Sequence, residues 1–178
     1  MTKSKKILLW VFSFFIVTAL SFISCQQQEE RTYTDAELQT MMDNLNQIWT
    51  GGDTAVIDTM YAKDAVRHNA DINNQKGPGE IAEFVKWVYV AYPDFKVIFS
   101  KPMKLKDRVI FEWTAMGTNT GPLNENMPAT GKSVQFNGIS VVKIENGKCT
   151  EEWVYYNQLP VYTQMGFKLV PAETEEDG

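Results

Sequence analysis

The spacing of the apolar residues changes once, close to Pro93, and this change constrains the fold more than any other feature of the sequence. Before Pro93, apolar residues recur every three or four positions, as in helices with one buried face. From Phe95 onward they alternate with polar residues, as in strands. Helices followed by a run of strands predict an α+β fold with an antiparallel sheet. The length of 178 residues is that of one domain with an appended segment.

Three helices are predicted before the sheet. Thr34–Glu37 has the spacing of a capping box, so the first helix begins there, and Gly51-Gly52 ends it. Asp53 can cap a second, short helix. The third helix begins near Pro78 and stops before Pro93, because the residue that precedes a proline disfavours helical geometry.

The strands are predicted in five segments, and the last two are joined by a tight turn at Asn146-Gly147. The segments are Ala65–His68, Lys96–Lys101, Arg108–Thr118, Lys132–Glu145 and Lys148–Gln158. A turn of helix is predicted at Leu159–Met165. Aromatic residues on both faces of these strands favour a strongly curved sheet wrapped around a helix. The interior of such a cone must be filled by side chains or by a ligand.

The N-terminus has the composition of a targeting segment. Lys3, Lys5 and Lys6 precede the apolar run Ile7–Leu20, and Cys25 follows shortly after. This order is typical of a secretory signal. The alternative is an uncleaved membrane anchor, because the apolar run is close to the shortest length that spans a bilayer.

The stretch Phe22–Cys25 resembles a bacterial lipobox, whose cysteine is lipid-modified and becomes the new N-terminus. The resemblance implies a lipoprotein signal peptide over residues 1–24, a flexible tether over 25–32, and a lipid bilayer as the partner of acylated Cys25. Because Gln26 rather than Asp follows the cysteine, we expect the outer membrane of the cell envelope rather than the inner. The alternative is an incidental cysteine after an ordinary signal peptide.

Composition excludes several kinds of site. The formal net charge of −5 provides no basic excess for binding nucleic acid. Two cysteines and one histidine are too few for a disulfide framework or an ordinary zinc site, so no metal is expected. Cys149 has no partner left in the chain if Cys25 is acylated, and we interpret it as a small, half-buried residue of a strand.

Four stretches of the domain follow one another in a familiar order. They are Trp49–Asp53 with the later Tyr61, Gly117–Pro122, Met127–Lys132, and Glu145–Lys148 running into Glu151–Trp153 and Gln164–Gly166. In this order and spacing the chain resembles the SnoaL-like ester cyclases, a branch of the nuclear transport factor 2-like (NTF2-like) superfamily.

This resemblance implies a cone-shaped α+β barrel over residues 33–168, with helices packed on a curved antiparallel sheet around a mostly apolar pocket. It also implies a possible homodimer through the sheet. Members of the family close polyketide rings by an aldol reaction, with an acidic residue as general acid and base and with neither metal nor cofactor. The acidic tail, residues 169–178, is expected to be disordered.

Three positions depart from the family pattern. Asn119 and Glu152 stand where the family usually has histidines. Asn157 stands where an acid is expected, four residues after Trp153. An amide can hold a carbonyl or enolate oxygen by hydrogen bonding, but it cannot carry a proton. The departures therefore leave open whether the chain is an enzyme.

The candidate catalytic residues are His68, Glu151 and Asn157. His68 follows a strand at a position where the family often has a histidine in the pocket, and its alternative role is structural. Glu151 would serve as acid and base, and its alternative is an ion pair with a lysine. Asn157 would hold a ligand oxygen.

The candidate ligand-binding residues combine large aromatic side chains with one amide. They are Trp113, Asn119, Trp153 and Tyr155. Residues 149, 151, 153, 155 and 157 share one face of the last strand, and the resemblance places that face toward the cavity. Trp87, Phe111 and Phe136 either line the ligand site or fill the core.

Two functions are compatible with these observations. The first is a membrane-anchored domain that binds a small, apolar, carbonyl-bearing molecule, with aldol cyclase or isomerase activity left open. The second is a non-catalytic envelope module for binding or assembly, which dimerises through its exposed sheet face. An open, aromatic-lined cavity would favour the first, whereas a sealed interior would favour the second.

Overall fold

The computed structural model of the protein describes residues 33–69 and 72–171. The expected signal peptide, Cys25, the tether and most of the acidic tail lie outside the described residues. Within the described ranges, no helix combines the length and the apolar character needed to cross a membrane.

The first helix begins and ends where its capping residues predict. Helix α1 spans Asp35–Gly51, and both hydrogen bonds of the Thr34–Glu37 capping box are present. Gly52 ends it with a positive φ of 68°. Asp53 caps a short 3-10 turn, which leads into α2. The remaining helices are α2 (Ile57–Met60), α3 (Gly77–Ala91) and α4 (Leu159–Gln164).

In the part of the chain that the structure describes, seven strands form one sheet. They are β1 (Tyr61–Asn69), β2 (Gln75–Lys76), β3 (Lys96–Phe99), β4 (Met103–Leu105), β5 (Arg108–Thr118), β6 (Ser133–Glu145) and β7 (Lys148–Tyr156). The turn between β6 and β7 has positive φ at both Asn146 and Gly147, as predicted. Strands β2 and β4 were not predicted, because two or three residues are too few to show an alternation.

The strand order is β2-β1-β7-β6-β5-β3, and β4 also pairs with β5. The sheet is curved and unclosed, and helices pack against it, so the predicted α+β class is confirmed. One feature of the expected sheet is wrong: β1 pairs with β7 in parallel, so the sheet is mixed rather than antiparallel. The first and last long strands are neighbours in the sheet although they are far apart in the sequence. Helix α3 and the other long strands lie between them along the chain.

The core lies between the helices and one face of the sheet. Helix α1 packs along β3, and α3 packs against β1. The side chains at its centre are almost fully buried and come from both helices and from the central strands. They include Leu45, Ile48, Ile81, Val85, Val109, Phe111 and Val142. Apolar burial of this extent is the main source of stability for such a domain.

Strand β7 contains a bulge that reverses its alternation. Ile144 pairs with Cys149, whereas the neighbouring Lys143 pairs with Glu151, so Thr150 is an extra residue without a partner on β6. An extra residue shifts every later side chain to the opposite face. Cys149 and Glu152 are therefore both buried on the inner face, and Glu151 is on the outer face.

Candidate active site

A cavity of about 290 Å³ lies on the inner face of the sheet. Helices α1 and α3 contribute to its wall through Trp49 and Phe84. Of the two roles left open for the aromatic residues, lining the cavity holds for Trp87, Phe111 and Phe136, and Trp113 lines it as well. The interior is thus open rather than filled by core side chains. A mostly apolar concave site of this size is typical of small-molecule binding.

A cluster of polar side chains interrupts the apolar wall at Glu152. The Tyr61 hydroxyl donates to Glu152 Oε2 at 2.6 Å, and the Ser140 hydroxyl donates to Oε1 at 3.1 Å. Arg67 Nε lies 3.3 Å from Oε2 as an ion pair. Glu152 and Ser140 are 2% exposed, and both line the cavity. A buried carboxylate is thus surrounded by donors, which offset much of the cost of removing its charge from water.

Two aromatic rings and one amide hold the Arg67 guanidinium in place. It lies 4.8 Å from the centre of the Trp49 ring and 5.2 Å from that of Phe84. Its Nη1 donates to Gln75 Oε1 at 3.0 Å. Its buried Nε has no aligned hydrogen-bond acceptor among the described residues. Arg67 also lines the cavity, so a ligand oxygen can complete its set of partners.

Tyr61 keeps its proton within this cluster. Burial, and next the charge of Glu152, raise the pKa of the Tyr61 phenol well above its ordinary value. A phenol that stays neutral donates its hydrogen bond to the carboxylate throughout the physiological range. Tyr61 therefore orients Glu152 without itself lining the cavity.

Trp113 extends the cluster across the sheet. Its Nε1 donates to Ser140 Oγ at 3.2 Å, and Ser140 in turn donates to Glu152. Gly138 is paired with Trp113 on the adjacent strand, and a Cβ at Gly138 would lie 2.2 Å from the indole ring. The glycine therefore leaves the space in which the Trp113 ring lies.

His68 and Glu151 lie on the outer face, not in the cavity. His68 Nε2 is 3.2 Å from Glu151 Oε2, and their side chains are 32% and 37% exposed. The His68 ring stacks on Trp153 with centres 5.2 Å apart, and Arg108 contacts the Trp153 ring at 4.6 Å. Tyr155 is half exposed and does not line the cavity.

The expectation that residues 151, 153 and 155 face the cavity is thus wrong, and the bulge at Thr150 is the physical reason. After the bulge, the inner positions of β7 are Glu152, Val154 and Tyr156. Asn157 follows the strand and is exposed, and its Oδ1 accepts from the Leu159 amide at 3.1 Å near the start of α4. Whether His68, Glu151 or Asn157 takes part in a reaction stays a prediction.

Asn119 is fully buried, and its side chain binds the backbone of its own loop and of α3. Its Nδ2 donates to the Ala91 and Gly121 carbonyls, and its Oδ1 accepts from the Thr130 amide and hydroxyl. These contacts use the ordinary hydrogen-bonding capacity of an amide. Asn119 therefore holds the loop between β5 and β6 in place, and it does not line the cavity.

Cys149 was expected to be half buried, and it is almost fully buried. Burial raises the pKa of the Cys149 thiol well above its ordinary value, so it is an inert, buried residue rather than a thiolate.

Within residues 33–69 and 72–171, no three His, Cys, Asp or Glu side chains come together in a way that could hold a metal ion.

The chain is similar in sequence to one family and in fold to several solved structures. The family model of the SnoaL-like polyketide cyclases matches residues 39–165. TsrD from Streptomyces laurentii has a TM-score of 0.67 at 19% identity, with 75% of this chain and 98% of that chain covered. AclR from Streptomyces galilaeus, assigned as a hydroxylase, has a TM-score of 0.65 at 22% identity, with 78% and 87% covered.

A third structure, assigned as a SnoaL-like polyketide cyclase from Jannaschia sp. CCS1, has a TM-score of 0.64 at 15% identity. In that comparison 78% of this chain and 99% of the other are covered. Among proteins with a curated description, none matches the sequence.

Proposed function

Because the chain belongs to the SnoaL-like polyketide cyclase family, we propose that it binds a small, largely apolar, carbonyl-bearing molecule and acts on it as a cyclase or isomerase. One observation carries the proposal: the buried pair of Arg67 and Glu152 lies in the wall of a mostly apolar cavity. Buried charges are costly to maintain unless they are paired and hydrogen-bonded. Charged groups that face a ligand cavity are common at reactive sites.

The charge balance of the cluster favours an uncharged substrate. The positive charge of Arg67 is already balanced by Glu152, whose Oε2 lies 3.3 Å from Arg67 Nε. A ligand carboxylate bound at Arg67 would therefore be repelled by the charge of Glu152. A neutral carbonyl oxygen can accept from an Arg67 N–H group without this repulsion. The rest of the wall is mostly aromatic and aliphatic, which suits an apolar carbon skeleton.

In the proposed reaction, Glu152 carries the proton. Its carboxylate removes a proton from the carbon next to the substrate carbonyl, and the developing enolate oxygen accepts a hydrogen bond from Arg67. In a cyclisation, the enolate carbon then forms a bond to a second carbonyl carbon, and the resulting alkoxide takes the proton back from Glu152. In an isomerisation, the proton returns to a different carbon. Neither sequence of steps consumes water or an oxidant.

Exchange of α-protons tests this step without knowledge of the natural substrate. We expect the protein to accelerate deuterium incorporation from D2O into 2-tetralone, a small apolar ketone, as measured by NMR. The Glu152→Gln variant should lose about 100-fold or more of the accelerated rate, because an amide cannot accept the proton. The Glu152→Asp variant retains the charge with a shorter reach, and it should keep part of the activity.

The matched variant Glu151→Gln distinguishes the two faces of β7. It changes the neighbouring glutamate on the outer face in the same way, and it should leave the exchange rate close to that of the wild type. Loss of exchange in Glu151→Gln but not in Glu152→Gln would place the chemistry with His68 and Glu151 instead. Binding of 2-tetralone without any accelerated exchange would favour the non-catalytic module.

We also propose that the domain is held at a bilayer through acylated Cys25. The support is the sequence Phe22–Cys25, which resembles a lipobox. Cys25→Ser should leave the protein unlipidated and move it from the membrane fraction to the soluble fraction of cells. Membrane retention of Cys25→Ser with its N-terminal segment uncleaved would indicate a spanning anchor instead.

A further inference from the structure

A second group of polar side chains lines the same cavity near the point where β7 leads into α4. Three tyrosines contribute to it, and so does one amide. They are Tyr92 at the end of α3, Tyr156 at the end of β7, Tyr162 in α4, and Gln158 between β7 and α4. The proposed reaction uses none of these residues.

Tyr92 is a buried donor with a poor acceptor. Its side chain lies in the core, and its hydroxyl donates to the Met165 sulfur at 3.2 Å. A thioether is a weak acceptor, so this contact satisfies the phenol less well than an oxygen would. Burial, followed by the neighbouring Tyr162 and Tyr156 phenols, raises the pKa of Tyr92 to about 12. The group therefore remains a donor at neutral pH.

Tyr162 adds a second phenol at the same end. Its hydroxyl oxygen accepts from Gln158 Nε2 at 3.0 Å, an arrangement that orients the ring and leaves its own O–H as a donor. Both tyrosines line the cavity, whose wall is mostly apolar. The chemical partner that fits two phenolic donors is a hydrogen-bond acceptor, such as a carbonyl or ether oxygen.

The phenol group and the Glu152 cluster lie at different ends of the cavity. Glu152 and Tyr156 are four residues apart on the inner face of β7, which separates their Cα atoms by about 13 Å. Trp113 lies between them, because its Nε1 donates to Ser140 and its ring centre is 5.9 Å from that of Tyr156. The Trp113 side chain therefore lies between the two polar ends of the cavity.

We propose that Tyr92 and Tyr162 form a second oxygen-binding subsite, so that the ligand carries one oxygen at each end of the cavity. One oxygen is the reacting carbonyl at Arg67 and Glu152, and the other accepts hydrogen bonds from the phenols. This inference rests on the proposed function, because it assumes that the carbonyl binds at Glu152.

Two matched ketones test the subsite. 2-Tetralone carries oxygen at one end, and 6-methoxy-2-tetralone carries it at both ends. We expect the wild-type protein to bind the methoxy ketone about two- to tenfold more tightly, by titration calorimetry, because one further hydrogen bond is made. Tyr92→Phe removes only the hydroxyl, and it should abolish this preference.

Tyr89→Phe is the matched control, because it removes a phenol hydroxyl that donates to the Phe95 carbonyl and does not line the cavity. It should keep the preference. If Tyr92→Phe does not fold, Tyr162→Phe is measured in its place. Equal binding of the two ketones by the wild type, or a preference that survives the removal of the hydroxyl, would overturn the subsite alone. If neither ketone binds, the proposed function fails as well.

Discussion

Strands β1 and β7 present two acid–base pairs from adjacent residues, one on each face of the sheet. Arg67 and Glu152 face the cavity, whereas His68 and Glu151 face outward. The separations are nearly equal, 3.3 Å and 3.2 Å, but the inner side chains are 7% and 3% exposed and the outer ones 32% and 37%. Contact distance therefore says little about what each pair contributes, and burial accounts for the difference.

The surroundings of the two carboxylates differ in the same way. Glu152 has donors from Tyr61 and Ser140 in addition to Arg67, and all of these are removed from water. Glu151 has His68 as a partner, and water can replace that contact. A substitution at Glu152 thus leaves several groups unsatisfied, whereas one at Glu151 leaves few.

The largest expected effect comes from Glu152→Gln compared with Glu151→Gln. Loss of the inner charge leaves the Arg67 guanidinium buried without its counter-charge, which should cost about 3–5 kcal/mol in the free energy of unfolding. Loss of the outer charge should cost at most about 1 kcal/mol. Urea unfolding of both variants measures the difference, and equal losses would contradict the distinction between the faces.

The inner face should also tolerate less added volume than open positions of the fold. Gly138→Ala places a Cβ 2.2 Å from the Trp113 ring, so the indole must move, and we expect a loss of about 1–3 kcal/mol. Near-ultraviolet circular dichroism should report the altered ring. Gly79→Ala in α3, where a Cβ meets nothing within 4 Å, is the control and should not be destabilised. An unchanged Trp113 signal in Gly138→Ala would argue against this packing.

The smallest expected effect is a loss of stability at alkaline pH, and it arises from a residue that lines the cavity. Tyr92 has a pKa raised to about 12 by burial, so its folded form holds its proton more tightly than the unfolded chain does. The resulting stability is fully present below pH 10 and is lost as the pH rises toward 12. Tyr61 and Cys149, whose pKa values are also raised by burial, act in the same direction.

Tyr92→Phe should therefore lose stability less steeply between pH 10 and 12 than the wild type. The measurement is the urea midpoint at several pH values across this range. The exposed Tyr155 on the outer face provides the matched comparison, and Tyr155→Phe should keep the slope of the wild type. An identical slope in Tyr92→Phe would mean that this phenol does not hold its proton as described.

Local features of the fold could be predicted from the sequence because their causes are local. The Thr34–Glu37 capping box, the glycine stop at Gly52 and the Asn146-Gly147 turn all lie where the sequence predicts them. Strand β5 spans the predicted Arg108–Thr118. These signals act within a few residues, so no knowledge of the tertiary structure is needed to interpret them.

The site was predicted less well because its causes are not local. Trp113 was expected at the cavity and lines it. The side chains of β7 after Thr150, however, were predicted on the wrong face of the sheet. A bulge has no sequence signature here, since the two strands decide it jointly. Arg67 was missed because its partner is 85 positions away and the parallel pairing that joins them is not visible in either segment.

The bulge at Thr150 also bears on how this chain should be aligned with its relatives. A regular strand one residue shorter would carry Cys149 and Glu152 inward and Glu151 outward, as the bulged strand does. Deletion of Thr150 should therefore leave the same side chains facing the cavity. A change that removes the bulge without removing a residue would instead turn Glu152 to the outer face. We expect homologues to differ here by a gap rather than by a substitution, and an ungapped column would equate residues that occupy opposite faces.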